Sequence, residues 1–288
     1  MSGSTPAVSL VCCGLLGTTA DDHGILERAF AEACATQGIV PGTAAYTRSM
    51  VGVHQARGQS AVDVFRGLFP DEDGRAEAAA LSFERSFRAA VDHTEISPLP
   101  GAEEAIGQLS ESGVRVCVIT SLSRRLLGLV LDSLRWWRLI DLTLCPEDAP
   151  RGCPWPDLML TAMLRLGVED VREAAFAGST ASEIECGMRS GAGIVAGVLA
   201  AGHTRDRLRD AGATHLIDGI AQLPGVLLES STSATAGSAG GDTVPAGGAR
   251  AGSAPGAAAV PPASRAPSAA STSAPGPQVP LERRNSGL

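Results

Sequence analysis

Apolar residues along this chain follow two rhythms. A short continuous run, Leu10 to Cys13, breaks at a Gly-rich turn and gives way to helical spacing from about Asp22. That is the strand-loop-helix opening of an α/β domain. Ile25 to Gln37 keeps apolar residues at helical spacing and stops near Gly38 and Pro41. Three more helical stretches follow, roughly Thr43 to Val53, Ser60 to Phe69 and Arg75 to Val91, with no strand-like alternation among them. They read as a helical cap inserted after the first strand, over 22–97.

Beyond Pro98-Leu-Pro-Gly101 the rhythm changes. A helix over Ala102 to Ser110 leads to a buried strand, Val114 to Ile119, and strands and helices then alternate. The helices fall at Arg124 to Leu134, Asp157 to Leu166, Ser182 to Ser190 and Asp206 to Ala211. The strands fall at Leu142 to Cys145, Ala174 to Ala177, Gly193 to Val198 and Thr214 to Ile217. Such alternation predicts a doubly wound parallel sheet covered on both faces, with ligands beyond the carboxyl ends of its strands. The core is expected over 6–21 and 98–228. From 229 to 288 Ala, Gly, Ser, Pro and Thr dominate, and a segment this poor in large apolar residues is expected to form a disordered tail.

Composition narrows the function. With 288 residues, 44% of them hydrophobic, the chain can bury a sizeable core, and its net charge of −8 argues against a nucleic-acid partner. All 23 basic residues are arginine, which excludes a Schiff-base lysine and a P-loop lysine. Cys12, Cys13, Cys34, Cys117, Cys145, Cys153 and Cys186 form no CxxC pair and are read as buried free thiols in a reducing cytoplasm. No apolar run reaches about 18 residues and the N-terminus lacks a basic region, so neither membrane spanning nor secretion is expected. His54, His93, His203 and His215 are scattered without metal-ligand spacing.

Four motifs carry the remaining signal. Gly14-Leu-Leu-Gly17-Thr18-Thr19-Ala-Asp21 resembles the first motif of the haloacid dehalogenase superfamily, and its double threonine resembles most the branch containing phosphonoacetaldehyde hydrolase. The resemblance covers residues 6–228 and implies a nucleophilic, magnesium-binding aspartate where Gly14 stands. In the cap, Arg57-Gly58-Gln59-Ser60-Ala61 is similar to the segment that carries the branch's Schiff-base lysine, whose place falls on Ala61. Val116 to Thr120-Ser121 fits the second motif, whose hydroxyl binds the phosphoryl group; Thr120 is equally suited to capping the following helix. The third motif resembles Arg151-Gly-Cys153-Pro-Trp155-Pro-Asp157, with Cys153 where the family has a cation. The fourth resembles Gly178-Ser179-Thr180-Ala-Ser-Glu183, where Ser179 replaces a metal-binding aspartate and only Glu183 keeps a carboxylate.

The resemblance therefore implies metal positions at Gly14, the Leu16 carbonyl and Ser179, and two of the three lack a ligand. Because Mg²⁺ demands near-octahedral oxygen ligation, no cofactor is expected; magnesium belongs to the alternative of an active enzyme. Thr18, Thr120 and Ser121 remain as a remnant of the phosphate site, and Leu16 is bulky enough to fill substrate space. The chain is expected to be a phosphonatase-like protein without catalysis that binds a small ligand or a protein. The alternative is a hydrolase of a phosphate ester or phosphonate with a rearranged site using Glu183 or Asp21. A thiol pairing Cys12, Cys13 or Cys153 with His23 is a lesser possibility, since Cys12 and Cys13 belong to the apolar strand. Arg151 would replace the lost cation only through a re-routed loop, and Trp155 is placed to close part of the old pocket.

Overall fold

The computed structural model describes residues 8–200 and 203–228. The tail expected from 229 onward lies outside the described residues.

The chain begins with strand β1 (Leu10–Gly14), every residue of which is buried. Its side chains alternate between two cores: Val11 and Cys13 join one, Leu10 and Cys12 the other. A strand clothed on both faces must be apolar throughout, which is why it reads as an unbroken run. A tight turn leads to the two-residue strand β2 (Ala20–Asp21) and then to helix α1 (Ile25–Thr36). Asp22 starts this helix, its Oδ2 accepting the Leu26 amide at 2.6 Å.

Helices α2 (Ala44–Gln55), α3 (Ala61–Leu68) and α4 (Asp73–Val91) follow. Thr43 and Ser60 cap the first two of these through bonds from the Tyr46 and Asp63 amides. Phe30, Phe65, Phe83 and Phe87 are buried among these helices, with ring centroids of Phe30 and Phe83 4.4 Å apart. The segment returns through strand β3 (Ser97–Pro98), antiparallel to β2, so the helices enter and leave by one short ribbon.

The rest builds the sheet. Helix α5 (Ala102–Glu111), strand β4 (Arg115–Ile119), helix α6 (Arg124–Leu134) and strand β5 (Leu142–Leu144) extend it on one side of β1. Helix α7 (Asp157–Leu166), strand β6 (Ala174–Gly178), helix α8 (Ala181–Ser190), strand β7 (Ile194–Val198), helix α9 (Arg205–Asp210) and strand β8 (His215–Ile217) extend it on the other. The six strands run in the order β5-β4-β1-β6-β7-β8, all parallel. Strand order reverses at β1, so its carboxyl end, flanked by those of β4 and β6, opens a crevice.

Trp136 is buried with its indole donating to Glu103 Oε1 at 2.7 Å, whereas Trp137 stands exposed and donates to Asp132.

Candidate functional site

Register sets the site. Gly14 pairs with Ile119 and Cys13 with Ala177, which brings the loops after β1, β4 and β6 to one level. A cavity of about 30 Å³ lies there, lined by Leu15, Leu16, Leu26, Arg57, Gly58, Thr120, Ser121, Leu122, Thr180 and Glu183. That is room for about two water molecules.

The loop after β1 is knotted by its two threonines. Thr19 Oγ1 donates to the carbonyls of Gly14 and Leu15, at 3.0 and 3.1 Å. Thr18 Oγ1 donates to Ser179 Oγ at 3.0 Å and so ties the loops after β1 and β6. Thr18, Thr19, Ser179 and Thr180 are all buried.

Glu183 dominates the cavity floor. It occupies the third position of α8, and its Oε2 accepts from the Thr180 amide at 3.0 Å while Thr180 Oγ1 accepts the Glu183 amide at 3.3 Å. This is a capping box, which holds two otherwise unpaired donors of the helix start. Oε2 also takes the Ser179 amide at 3.0 Å and the Thr180 hydroxyl at 2.9 Å. Oε1 accepts no hydrogen bond among the described residues and faces Gly14. A Cβ built on Gly14 would overlap Glu183 Oε1, lie 2.9 Å from Glu183 Cδ and 2.8 Å from Thr18 Oγ1. The Glu183 carboxylate thus fills the space into which any side chain at position 14 would grow. Burial pushes the Glu183 carboxyl up, against the opposing pull of the Thr180 hydroxyl, the two backbone amides and the Arg57 charge.

The remaining candidate positions have other surroundings. Thr120 Oγ1 accepts the Leu122 amide at 3.2 Å, and the cap position of α6 belongs to Ser123 instead. The first amide of α6, that of Arg124, donates to Glu147 Oε1 at 3.0 Å. Leu16 is half-buried and lines the cavity with Leu15. Asp21 turns away to accept the His23 amide at 2.8 Å. Cys153 is 7% exposed and packs with Cys186 in the second core. A hydrogen bond from its S–H to Cys186, with burial, raises its thiol well above the ordinary value, and burial pushes Cys13 up to about 12. Both thiols are neutral at physiological pH, so neither supplies a thiolate nucleophile. Arg151 does not replace the missing cation: it forms a bidentate pair with Asp157 at 2.9 and 2.8 Å. Its guanidinium, with that of Arg189, stacks on Trp155, which is 45% exposed and does not close the pocket.

Four residues given no role by the sequence complete the site. The segment before α3 descends onto the α8 start. Gly58, at φ +87°, sits so tightly that an added Cβ would overlap Thr180 Oγ1 and lie 3.1 Å from Ser182 Cβ. Its neighbour Arg57 enters the cavity wall and makes no hydrogen bond or ion pair among the described residues. His203 clasps the two sides: Nδ1 accepts the Ala181 amide at 2.9 Å, which leaves Nε2 to donate to the His54 carbonyl at 3.0 Å. Arg207 adds a bond to the Gln55 carbonyl at 3.0 Å.

The model of the haloacid dehalogenase-like hydrolases matches residues 8–191, the whole stretch from β1 to the end of α8. The chain belongs to that family. It is 30% identical over 164 residues to a phosphonoacetaldehyde hydrolase of Bordetella pertussis, a match covering 49% of this chain and 59% of the relative. A phosphonoacetaldehyde hydrolase of Parabacteroides distasonis is 25% identical over 187 residues, covering 56% and 70%. The chain thus spans somewhat over half the length of the first of these relatives. Among solved structures, a phosphonoacetaldehyde hydrolase-like protein from Oleispira antarctica superposes with a TM-score of 0.70 at 20% identity, over 82% of this chain and 97% of that one. A hydrolase from Pseudomonas syringae gives 0.67 at 22% identity, over 77% and 98%. The chain thus shares the fold of these structures and resembles phosphonoacetaldehyde hydrolases over part of their length.

The magnesium typical of this family does not fit the residues present. Gly14 offers no side chain, the Ser179 hydroxyl is bonded to Thr18, and Glu183 Oε2 is occupied by three donors. Among the described residues no group of three or more His, Cys, Asp or Glu converges as a metal cluster. No helix among them is long and apolar enough to cross a membrane.

Proposed function

We propose that this chain is a catalytically silent, phosphonatase-like haloacid dehalogenase that uses the cavity under its helical segment to bind a small ligand. One observation carries the reading: the Glu183 carboxylate occupies the space beside Gly14 that a nucleophile would need, and is anchored there by three donors. The site has been refilled as well as emptied. Losing a nucleophile costs on the order of 10⁶ in turnover, and the changes at Gly14, Ala61, Cys153 and Ser179 act on one unit. The helical cap is taken as 22–97 and the core as the remainder up to 228, in a cytoplasmic protein whose thiols stay reduced. No cofactor, nucleic acid or membrane enters this function.

A second reading is a hydrolase with a displaced carboxylate. It is favoured by Glu183 Oε1, the one carboxylate oxygen lining the cavity without a hydrogen bond among the described residues. Phosphate release from phosphonoacetaldehyde and a panel of phosphate esters, with excess magnesium, separates the two. The silent reading expects release equal to the buffer blank; metal-dependent turnover abolished by Glu183→Gln would establish the second.

A further inference from the structure

A second cavity lies against the one beside Glu183. The two share Leu26, Arg57, Gly58, Ser121 and Leu122, and the upper space, about 40 Å³, is walled by Phe30, Met50, Val53, Val64 and Phe83, with the exposed Glu27 and His54 at its edge. Together they offer about five water-sized positions. At their junction stands Arg57, unpaired among the described residues. Below it is Glu183, with Oε2 held and Oε1 free. The two charges form no ion pair with each other, although both line the cavity beside Gly14.

An unbridged cation and anion in one small cavity select by charge pattern. A simple carboxylate satisfies Arg57 and leaves Glu183 repelled. A simple amine does the reverse, and a phosphate dianion is worst placed of all. A dipolar molecule satisfies both at once, giving the half-buried Arg57 guanidinium and Glu183 Oε1 the hydrogen-bond partners they lack among the described residues. The apolar upper chamber adds a demand for a short hydrocarbon group.

We propose that the cavity binds a small apolar α-amino acid of about the size of alanine to valine, its carboxylate on Arg57, its ammonium on Glu183 Oε1 and its side chain in the upper chamber. The proposal names the ligand of the silent site and rests on that reading. Burial leaves the Glu183 carboxyl reluctant to ionise, and an ammonium partner would reverse that tendency, so binding is expected to release a proton from the protein at low pH.

Titration calorimetry of the full chain tests this with L-valine, isovalerate, isobutylamine and inorganic phosphate. Valine is expected to bind, with isovalerate and isobutylamine each at least about tenfold weaker, since a lost charge-assisted bond removes about 1.5–3 kcal/mol. Arg57→Gln, at a half-buried position outside any helix, is expected to lose about tenfold or more for valine while melting with the unmodified protein. Glu183→Gln, which keeps the side chain's size and an acceptor oxygen for the helix cap, should restore isovalerate toward valine, and an unchanged preference for valine would overturn the assignment of the ammonium to Glu183. No heat with valine, equal binding of isovalerate, or preferential binding of phosphate would each overturn the proposal. Phosphate release from the ester panel is scored separately: turnover with valine binding intact sinks the silent reading alone, whereas a silent protein that ignores valine sinks the ligand alone.

Discussion

Restoring the family's aspartate at position 14 is the most direct attack on the silent reading, and the structure forecasts that it fails for a steric reason. Gly14 does not need glycine's backbone freedom, because its φ lies outside the left-handed region. What it needs is space. In Gly14→Ala the new Cβ overlaps Glu183 Oε1 and crowds Thr18 Oγ1 at 2.8 Å, so Glu183 must leave or the β1 loop must shift. Overpacking of this kind costs about 1–3 kcal/mol. Gly14→Asp adds a second buried carboxylate against the first, which forces one of them to stay neutral, and the cost rises to about 3–5 kcal/mol. At about 2–4 °C per kcal/mol for a domain of this size, the alanine variant melts about 2–12 °C lower.

A double-mutant cycle isolates the cause. Glu183→Ala vacates the space at the expense of the α8 cap, about 1 kcal/mol. In that background Gly14→Ala should cost much less than in the unmodified protein, a coupling of about 1–3 kcal/mol measured by urea unfolding. Equal cost in both backgrounds would refute the reasoning, because position 14 would then be limited by something other than Glu183. Native stability in Gly14→Asp together with magnesium-dependent phosphate release would refute it more thoroughly, by showing that Glu183 yields freely.

Three other substitutions probe the clasp and the third motif. Burial lowers the His203 pKa below 6.5, so the unfolded chain binds the extra proton first: stability from this residue is complete above pH 6.5 and is lost as pH falls below it. Urea midpoints between pH 7.5 and 5.5 should therefore fall in the unmodified protein and fall less in His203→Gln. Gly58→Ala combines a left-handed backbone with overlap on Thr180 and should cost about 1–3 kcal/mol while increasing protease cleavage near residue 58, which gel analysis would reveal. Cys153→Arg puts back the family's cation at a buried position beside Cys186; it should lower the melting temperature and yield no phosphate release.

What the chain discloses before folding, and what it withholds, divides along the range of the forces involved. Strands β1, β4, β6 and β7 are buried on both faces, so each announces itself as an apolar run, and helices α6 and α7 end where their periodicity ends. The ribbon of β2 and β3 has two residues in each strand, too few for any period, and Pro98 masks one of them. The departures from the resembled motifs at Gly14, Ala61, Cys153 and Ser179 are visible one position at a time. Their physical sequel is not, because it depends on Glu183 reaching back from α8 across to β1, a contact between residues far apart in sequence. His203 was equally hidden: both its partners are backbone groups, the Ala181 amide and the His54 carbonyl, and a backbone partner leaves no mark in the residue pattern. Arg57 lies in the same segment as Ala61, where the resembled branch carries its lysine. Its place beside Glu183 depends on the cap segment meeting the start of α8, which no local pattern encodes. If that pair defines the ligand, the old active site has changed the sign pattern it presents, from a metal-assisted anion cradle to a dipole receptor, while keeping the threonine knot and the sheet that hold its walls in place.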